Sequence, residues 1–459
     1  MAHSTVIVWY RNDLRLDDNP ALAWAAQHAE RIVPLYLHAS QESGKWPAGA
    51  ASRWWLHHSL GALDKSLRTL GSRLVVRSGP GVDTLLELAG QCGATSVVWN
   101  RRYESAHIRY DKRVKRELAQ RGIECHSFGG ALLFEPWTIA TGSGGPYRVF
   151  TPYWKTCRRL GLPDDPTAAP AALPPAPRLA RPAGAASISE LDLLPRIRWD
   201  RGLREAWQAG EDAAHARLDE FCGQSIADYP ALRDIPGQQG TTRLSAHLHY
   251  GEISPRRCVQ RILQTVATDT TPGLSRGAEV LLSELGWREF AHHVLYHFPH
   301  TSDQPLNERY CDFPWRRGGK RLLRAWQQGL TGVPIVDAGM RELWHSGWMH
   351  NRVRMIVASF LTKNCRLHWR DGARWFWDTL VDADLANNTL NWQWAAGCGA
   401  DAAPYFRIFN PVTQGNRFDA DGIYVRRWVP ELAALPNRWL HEPWNAPPDV
   451  LAECNVRLG

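Results

Sequence analysis

The 23 residues GLPDDPTAAPAALPPAPRLARPA at 161–183 divide the chain into two parts whose hydrophobic patterns demand different architectures. Proline and alanine without periodicity make a semi-rigid linker, neither helix nor strand. Ahead of it, short β-rich runs at Val6–Trp9, Ile32–Leu37, Leu74–Val76 and Val97–Trp99 alternate with amphipathic stretches such as Arg53–Leu70 and Tyr110–Arg121. That alternation predicts βαβ units around a parallel sheet. From about residue 200 the apolar positions recur at helical spacing, punctuated by Pro230, Pro255, Pro299 and Pro334, and predict an all-α unit. A chain of 459 residues also exceeds what one hydrophobic core supports. The expected organisation is an α/β, Rossmann-like unit at 1–135, a connecting segment at 136–200 and a helical unit at 201–459.

Composition removes several function classes. With 44% hydrophobic and 22% charged residues the chain is globular, not disordered. It has no apolar span of about 20 residues, and the opening VIVWY is too short for a signal segment, so a cytoplasmic protein without membrane contact is expected. Nine scattered Cys without a C-x-x-C pair argue against a disulfide framework and against a zinc site. Net charge is +8, carried by 47 Arg and only seven Lys. Arginine is the better bidentate phosphate ligand, which suits a polyanionic partner, although genomic base composition accounts for the excess equally well. After the first strand stands RNDLRLDDNP in place of a G-x-G-x-x-G, which argues against a nicotinamide site. Within it, Asp18-Asn19-Pro20 reads as a helix start.

The densest chemistry lies between Met340 and Asn410, where paired Asp residues, Asn amides and many Trp residues occur together and suggest a buried redox site. Read as a helix, Asp384, Asn388 and Trp392 share one face, as do Asn351, Arg354 and Met355 one passage earlier. Upstream, GTTRLS at 240–245 offers backbone N–H groups, hydroxyls and a guanidinium to a pyrophosphate, though Thr242 and Ser245 serve equally as ordinary N-caps. In LSELGWREF, Glu284, Trp287 and Arg288 are presented together, either to a ligand or as an intrahelical Glu–Arg pair.

The strings MRELWHSGWMHNRVRM, DGARWFWDTLVDADLANN, WQWAAGCGADAAPYFRIFNP, TTRLS and LSELGWREF resemble the DNA photolyase and cryptochrome family, in particular microbial cyclobutane pyrimidine dimer photolyases of the class I and III kind. The likeness runs from RNDLRLDDNPAL at 11–22 to RRWVPEL near 430. It implies a monomer that repairs UV-damaged DNA with light. No side chain is reductant enough to split the dimer, so a cofactor, FAD, must donate the electron, and the lesion must be flipped out of the duplex to reach it. The resemblance assigns the FAD phosphates to Tyr229, Thr241, Thr242, Arg243, Leu244 and Ser245, the ring edge to Asp382 and Asp384, and the surroundings of ring N5 to Asn388. Asp382, as a desolvated carboxylate, is expected to be compensated by Arg354 in a bidentate bridge. Glu284, Trp287, Asn351, Met355 and Trp394 would line the lesion cavity, and Arg233, Arg288, Arg352 and Gln414 would contact DNA.

Trp392, Trp369 and Trp315 would relay electrons from the surface, with Trp375 or Trp377 as a branch. Folate-binding relatives carry an Asn-Glu pair shortly after Tyr-Glu. Tyr103-Glu104 is followed here by Ser105, Ala106 and His107, so the antenna is methenyltetrahydrofolate in another pocket, a deazaflavin, or absent. Two alternatives stay open: a cryptochrome-type blue-light receptor, disfavoured because plant cryptochromes carry Asp at position 388, and a (6-4) photoproduct photolyase using His350.

Overall fold

The computed structural model describes residues 4–39, 44–163, 165–177, 186–403 and 407–458. Five parallel strands, β1 (Val6–Tyr10), β2 (Ile32–His38), β3 (Val75–Ser78), β4 (Ser96–Asn100) and β5 (Glu124–Phe128), stand in the order β3-β2-β1-β4-β5. Four of them are the β-rich runs of the sequence. The fifth, Glu-Cys-His-Ser-Phe, carries no such run; it forms on the edge of β4, in register from Ser96 with Glu124 to Asn100 with Phe128. Helices Pro20–His28, Ala50–Thr69, Gly81–Cys92 and Ser105–Ala119 connect the strands. Along β1, Val6, Val8 and Tyr10 enter one core with Trp54 and Trp55, while Ile7 and Trp9 enter another with Leu35 and Val97. Burial on both faces explains why this strand is apolar throughout. The first helix starts as expected, with Asn19 accepting from the Leu22 N–H and Pro20 in the first turn.

After β5 every regular element among the described residues is helical. The Leu274–His297 helix packs against Leu385–Ala396, Pro255–Thr268 and Phe150–Leu160, and the Trp369–Thr379 helix covers another side of Leu385–Ala396. Being surrounded, the 24-residue central helix shows no single apolar stripe.

RNDLRLDDNP fastens the two units together. Arg15, 1% exposed, donates to the carbonyls of Asp17, Asp18, Gly130 and Gly251. Asp17 and Asp18 form bidentate pairs with Arg257 and Arg256, and Glu211 accepts from the backbone N–H groups of Leu16 and Asp17. Charge-assisted bonds of this geometry are the stronger kind.

The proline-rich segment also differs from a free linker. Its described residues carry no helix or strand, yet Thr167 exchanges hydrogen bonds with Asp18, and Pro175 O accepts from the Ile32 N–H, so it lies strapped along the α/β unit. Residues 164 and 178–183 of that segment lie outside the described residues. All nine Cys are free thiols, and among the described residues no helix is long and apolar enough to cross a membrane.

Candidate functional site

A cavity of about 500 Å³ opens in the helical unit, with exposed Asn351 and Asn391 at its edge. Tyr229 and the run Thr241–Ser245 form one wall. Neither Thr242 nor Ser245 caps the next helix. It begins at Ser245 with Leu244 in the cap position and no side-chain cap, while Thr242 Oγ1 accepts from the Leu244 N–H. Arg243 takes a left-handed backbone (φ 51°), which turns its guanidinium between the rings of Trp207 and Trp348, 4.3 and 4.9 Å from their centroids. Its Nε is buried with no hydrogen-bond partner, and burial lowers its pKa to about 10.

Arg354 and Asp382 form the expected bidentate bridge at 3.1 and 2.8 Å, and Arg354 Nε also donates to Met349 O. Asp384 caps the Leu385–Ala396 helix instead of lying within it. Its Oδ1 accepts from the backbone and side-chain N–H groups of Asn387, and its Oδ2 faces His249 at 3.4 Å and His292 at 3.5 Å. Burial alone would raise this carboxyl, but the two imidazoles outweigh it and hold the pKa well below the usual carboxylate range.

Because the helix starts after Asp384, the face that meets the cavity is Asn387, Leu390, Asn391 and Trp394. Asn388 and Trp392 belong to the neighbouring face and do not line the cavity: Asn388 Nδ2 donates to Ala373 O, and Trp392 packs on Phe376 and Trp326, 5.0 and 6.1 Å away. The Asn388 amide N–H is thus taken up by a tie between two helices.

Across the cavity Glu284 pairs with Arg233 at 2.7 Å, not with Arg288, and burial lifts its pKa despite that partner. Trp287 stacks on Phe150 at 3.8 Å and 12°. Met355 and Trp394 complete the lining, and Trp394 packs against Phe409 at 6.1 Å with the ring planes 30° apart. The expected DNA-contact set fares differently. Arg233 is committed to Glu284 and Arg352 to Asp234 at 2.7 Å, while Arg288 donates to Ala131 O at 2.8 Å. Gln414 sits on the Pro411–Phe418 helix, away from the cavity lining. Exposed cations off the lining include Arg407, over the Phe409 ring that Trp394 packs against, and Arg417, on the Gln414 helix and over Phe418. His350 is 2% exposed, off the cavity, with a pKa lowered to about 4 by burial; its Nδ1 accepts from the Arg352 N–H.

Of the three expected relay indoles, Trp369 is buried and reaches half-buried Trp315 through His368, at 5.7 and 5.1 Å. Trp392 approaches the same helix one turn on, at Gly372, where an added Cβ would lie 2.0 Å from the indole. Trp375 stacks on exposed Trp344, and Trp377 meets Trp46 edge-on.

A second cavity, about 580 Å³, lies at the carboxyl ends of β1, β2 and β4, beside the point where strand order reverses. Arg11, Arg53, Arg102 and Arg109 line it together with Tyr36, Trp46 and Trp377. A small polar hollow containing Asn12, Arg102, His249, His292 and Asp384 separates the two. Sequence reasoning missed His249, His292 and Trp348. Extending the Glu284–Arg288 face by one helical turn lands on His292, so that signal was present.

Residues 6–175 match the family model described as DNA photolyase, and residues 281–459 match that of the FAD binding domain of DNA photolyase. The chain is 45% identical to the deoxyribodipyrimidine photo-lyase of Agrobacterium fabrum over 99% of this chain and 93% of that protein. It is 40% identical to Cryptochrome-2 of Arabidopsis thaliana, over 99% of this chain and 75% of that one. A crystal structure of a bacterial class III photolyase from Agrobacterium tumefaciens superposes with a TM-score of 0.93 at 45% identity, covering 100% of this chain and 93% of that chain.

Proposed function

The chain belongs to the DNA photolyase family, and from that membership we propose that it uses light to split cyclobutane pyrimidine dimers in DNA, with FAD held in the 500 Å³ cavity. The observation that carries this reading is that one cavity brings together both sets of expected residues, those suited to a flavin dinucleotide and those suited to a flipped pyrimidine pair. The donor set fits the cofactor: the unpartnered Arg243 Nε and the uncapped turn at Ser245 suit a pyrophosphate. Reduced FAD, when bound, supplies the photoexcited electron that dimer splitting requires.

The chain's own residues do the rest. The Arg354–Asp382 bridge and Asp384 hold fixed charges against the ring edge. Asn388, tied to Ala373 O, locks the helix that carries Asp384 to the one that carries Trp369. Trp287, backed by Phe150, offers a flat apolar surface to an extruded base pair, and Glu284 at its side offers carboxyl oxygens to base N–H groups or, protonated, donates to base carbonyls. Trp392, Trp369 and Trp315 carry electrons inward, with His368 between the outer two. Phosphates meet Arg407 and Arg417 outside the mouth. The buried, neutral His350 does not face the cavity, which speaks against the (6-4) reading.

In the second cavity we place an antenna. Arginines beside Tyr36, Trp46 and Trp377 suit a flat chromophore, and because Glu104, Ser105, Ala106 and His107 line this same cavity where folate-binding relatives carry the Asn-Glu pair, a deazaflavin fits it as well as a folate. Illumination of a dimer-containing oligonucleotide with the reduced protein, against a dark control, tests the main reading. Restored thymines support it, and photoreduction without restored thymines would move the chain to the receptor class.

A further inference from the structure

The group directly behind Asp384 has its protonation state written into its hydrogen bonds. His292 Nδ1 lies 3.0 Å from the Arg288 carbonyl, which only accepts, and its Nε2 lies 3.5 Å from Asp384 Oδ2. Both ring nitrogens face acceptors, so both carry protons. His249 is the opposite case. Its Nδ1 faces Asp384 Oδ2 at 3.4 Å, and its Nε2 lies 3.4 Å from Asn12 Nδ2. The orientation of that amide is set from its other end, where Asn12 Oδ1 accepts from Arg102 at 2.9 Å. Asn12 Nδ2, which also donates to His249 O at 3.1 Å, therefore turns an N–H rather than an acceptor toward His249 Nε2, and the tautomer that this favours carries its proton on Nδ1. With two N–H groups from Asn387, the Asp384 carboxylate has four donors for its four acceptor positions.

We propose that His292 is a titratable positioning residue carried as an imidazolium, which cancels the charge of Asp384 and makes the cavity's hold on a reduced, anionic flavin dependent on pH. The proposal rests on FAD occupying this cavity. Of the other charged groups facing His292, Arg102 pairs with Glu104, Arg101 pairs with Glu135, and Asp13 accepts from the Arg11 N–H and Asn100 Nδ2, while Arg288, which opposes the His292 charge, lies 3.5 Å from Glu289, whose own pKa burial raises to about 7. His249, from the Ser245–Tyr250 helix, brings a neutral ring. Loss of the His292 proton would thus leave Asp384 as an uncompensated carboxylate beside the ring position. Geometry and electrostatics agree: burial would lower the His292 pKa, but Asp384 outweighs it and raises it.

Two measurements on the full chain test this. Long-range 1H–15N correlation spectra of the protein freed of FAD should show His292 doubly protonated above pH 6.5, where an ordinary imidazole is mostly neutral, and His249 as the Nδ1–H tautomer. A neutral His292 there, or a cationic His249, overturns the assignment whether or not FAD binds. Affinity for reduced FAD, followed anaerobically from pH 6 to 9, should fall about tenfold across the His292 titration, the change expected if binding shifts that pKa by one unit. His292→Arg should keep tight binding and flatten the profile, whereas His292→Gln should bind weakly at every pH. If His292→Arg retains the wild-type profile, the switch lies elsewhere and the proposal fails. If the wild type binds no FAD at all, the functional reading fails, while the spectra still decide the charge state.

Discussion

Removing either half of the Arg354–Asp382 bridge should cost unequal amounts, because the two partners are unequally buried. The Asp382 side chain is 3% exposed and that of Arg354 23%. Asp382→Asn strands a guanidinium that keeps Met349 O, faces an open cavity and can still donate to the new amide oxygen. Arg354→Met strands a carboxylate with almost no water. Breaking a buried pair costs about 3–5 kcal/mol, and solvent screening reduces that for a partly exposed ion. The expectation is therefore about 4 kcal/mol for Arg354→Met and about 2 kcal/mol for Asp382→Asn. Replacing both, as Arg354→Met with Asp382→Leu, leaves no stranded charge and should recover at least about 1 kcal/mol relative to Arg354→Met alone. Urea unfolding followed by Trp fluorescence, with the denaturant slope unchanged, measures all three. Equal costs for the two single variants, or additive costs in the double, would refute the burial argument.

Trp392→Phe should photoreduce poorly yet repair normally when reduced beforehand, and Gly372→Ala, which drives a Cβ into the Trp392 indole at a cost of about 1–3 kcal/mol, should do the same more mildly; equal loss of both activities in either variant contradicts the relay. Burial lowers the pKa of His293, His350 and His368 to about 4 and of His107 to about 3. Groups so depressed stabilise the fold above about pH 6.5, and that stability drains away as pH falls from there toward 4. His368→Asn keeps the N-cap on Arg370 without a titrating group and should flatten the acid limb of a thermal-melt series; an unchanged limb shows that His368 does not contribute. Binding of DNA should weaken with salt, and Arg407→Gln or Arg417→Gln should each reduce the log–log slope by about 0.9, whereas Arg352→Gln should not.

What could be read in advance was whatever depended on local pattern. Four strands carried β-branched runs and Asn19-Pro20 carried a helix start; the Arg354–Asp382 bridge, between residues 28 apart, came from the family resemblance together with the cost of an unpaired buried carboxylate. What could not be read depended on neighbours. β5 has no strand signal of its own and forms because β4 offers an open edge. The helical face holding Asp384 was misplaced by one position, because a capping residue and an interior residue project differently and the sequence allows Asp384 to be either. Arg233, Arg288 and Arg352 looked like phosphate ligands because their partners, Glu284, Ala131 O and Asp234, are far away in sequence or come from other elements.

That pairing changes how the cavity must select its substrate. Arg233–Glu284, Arg352–Asp234 and Arg354–Asp382 each cancel within about 3 Å, so beyond a Debye length of roughly 8–10 Å they exert almost no field on a phosphate chain. On the proposed reading, undamaged DNA would sense the outer arginines, and only a nucleotide pair pushed past Asn351 and Asn391 would meet the inner charges at close range. Long-range capture and lesion recognition are thus assigned to different residues. Glu284→Gln separates them: it leaves the Arg233 charge in the cavity wall uncancelled, so that its field reaches the DNA, while removing a carboxylate from the base-facing wall. Undamaged duplex should then bind several-fold more tightly, with a salt slope larger by about 0.9, while the preference for dimer-containing DNA shrinks. Competition binding of damaged and undamaged oligonucleotides at two salt concentrations reads both changes, and a variant that binds undamaged DNA more weakly would show that Glu284 does not cancel the field of Arg233.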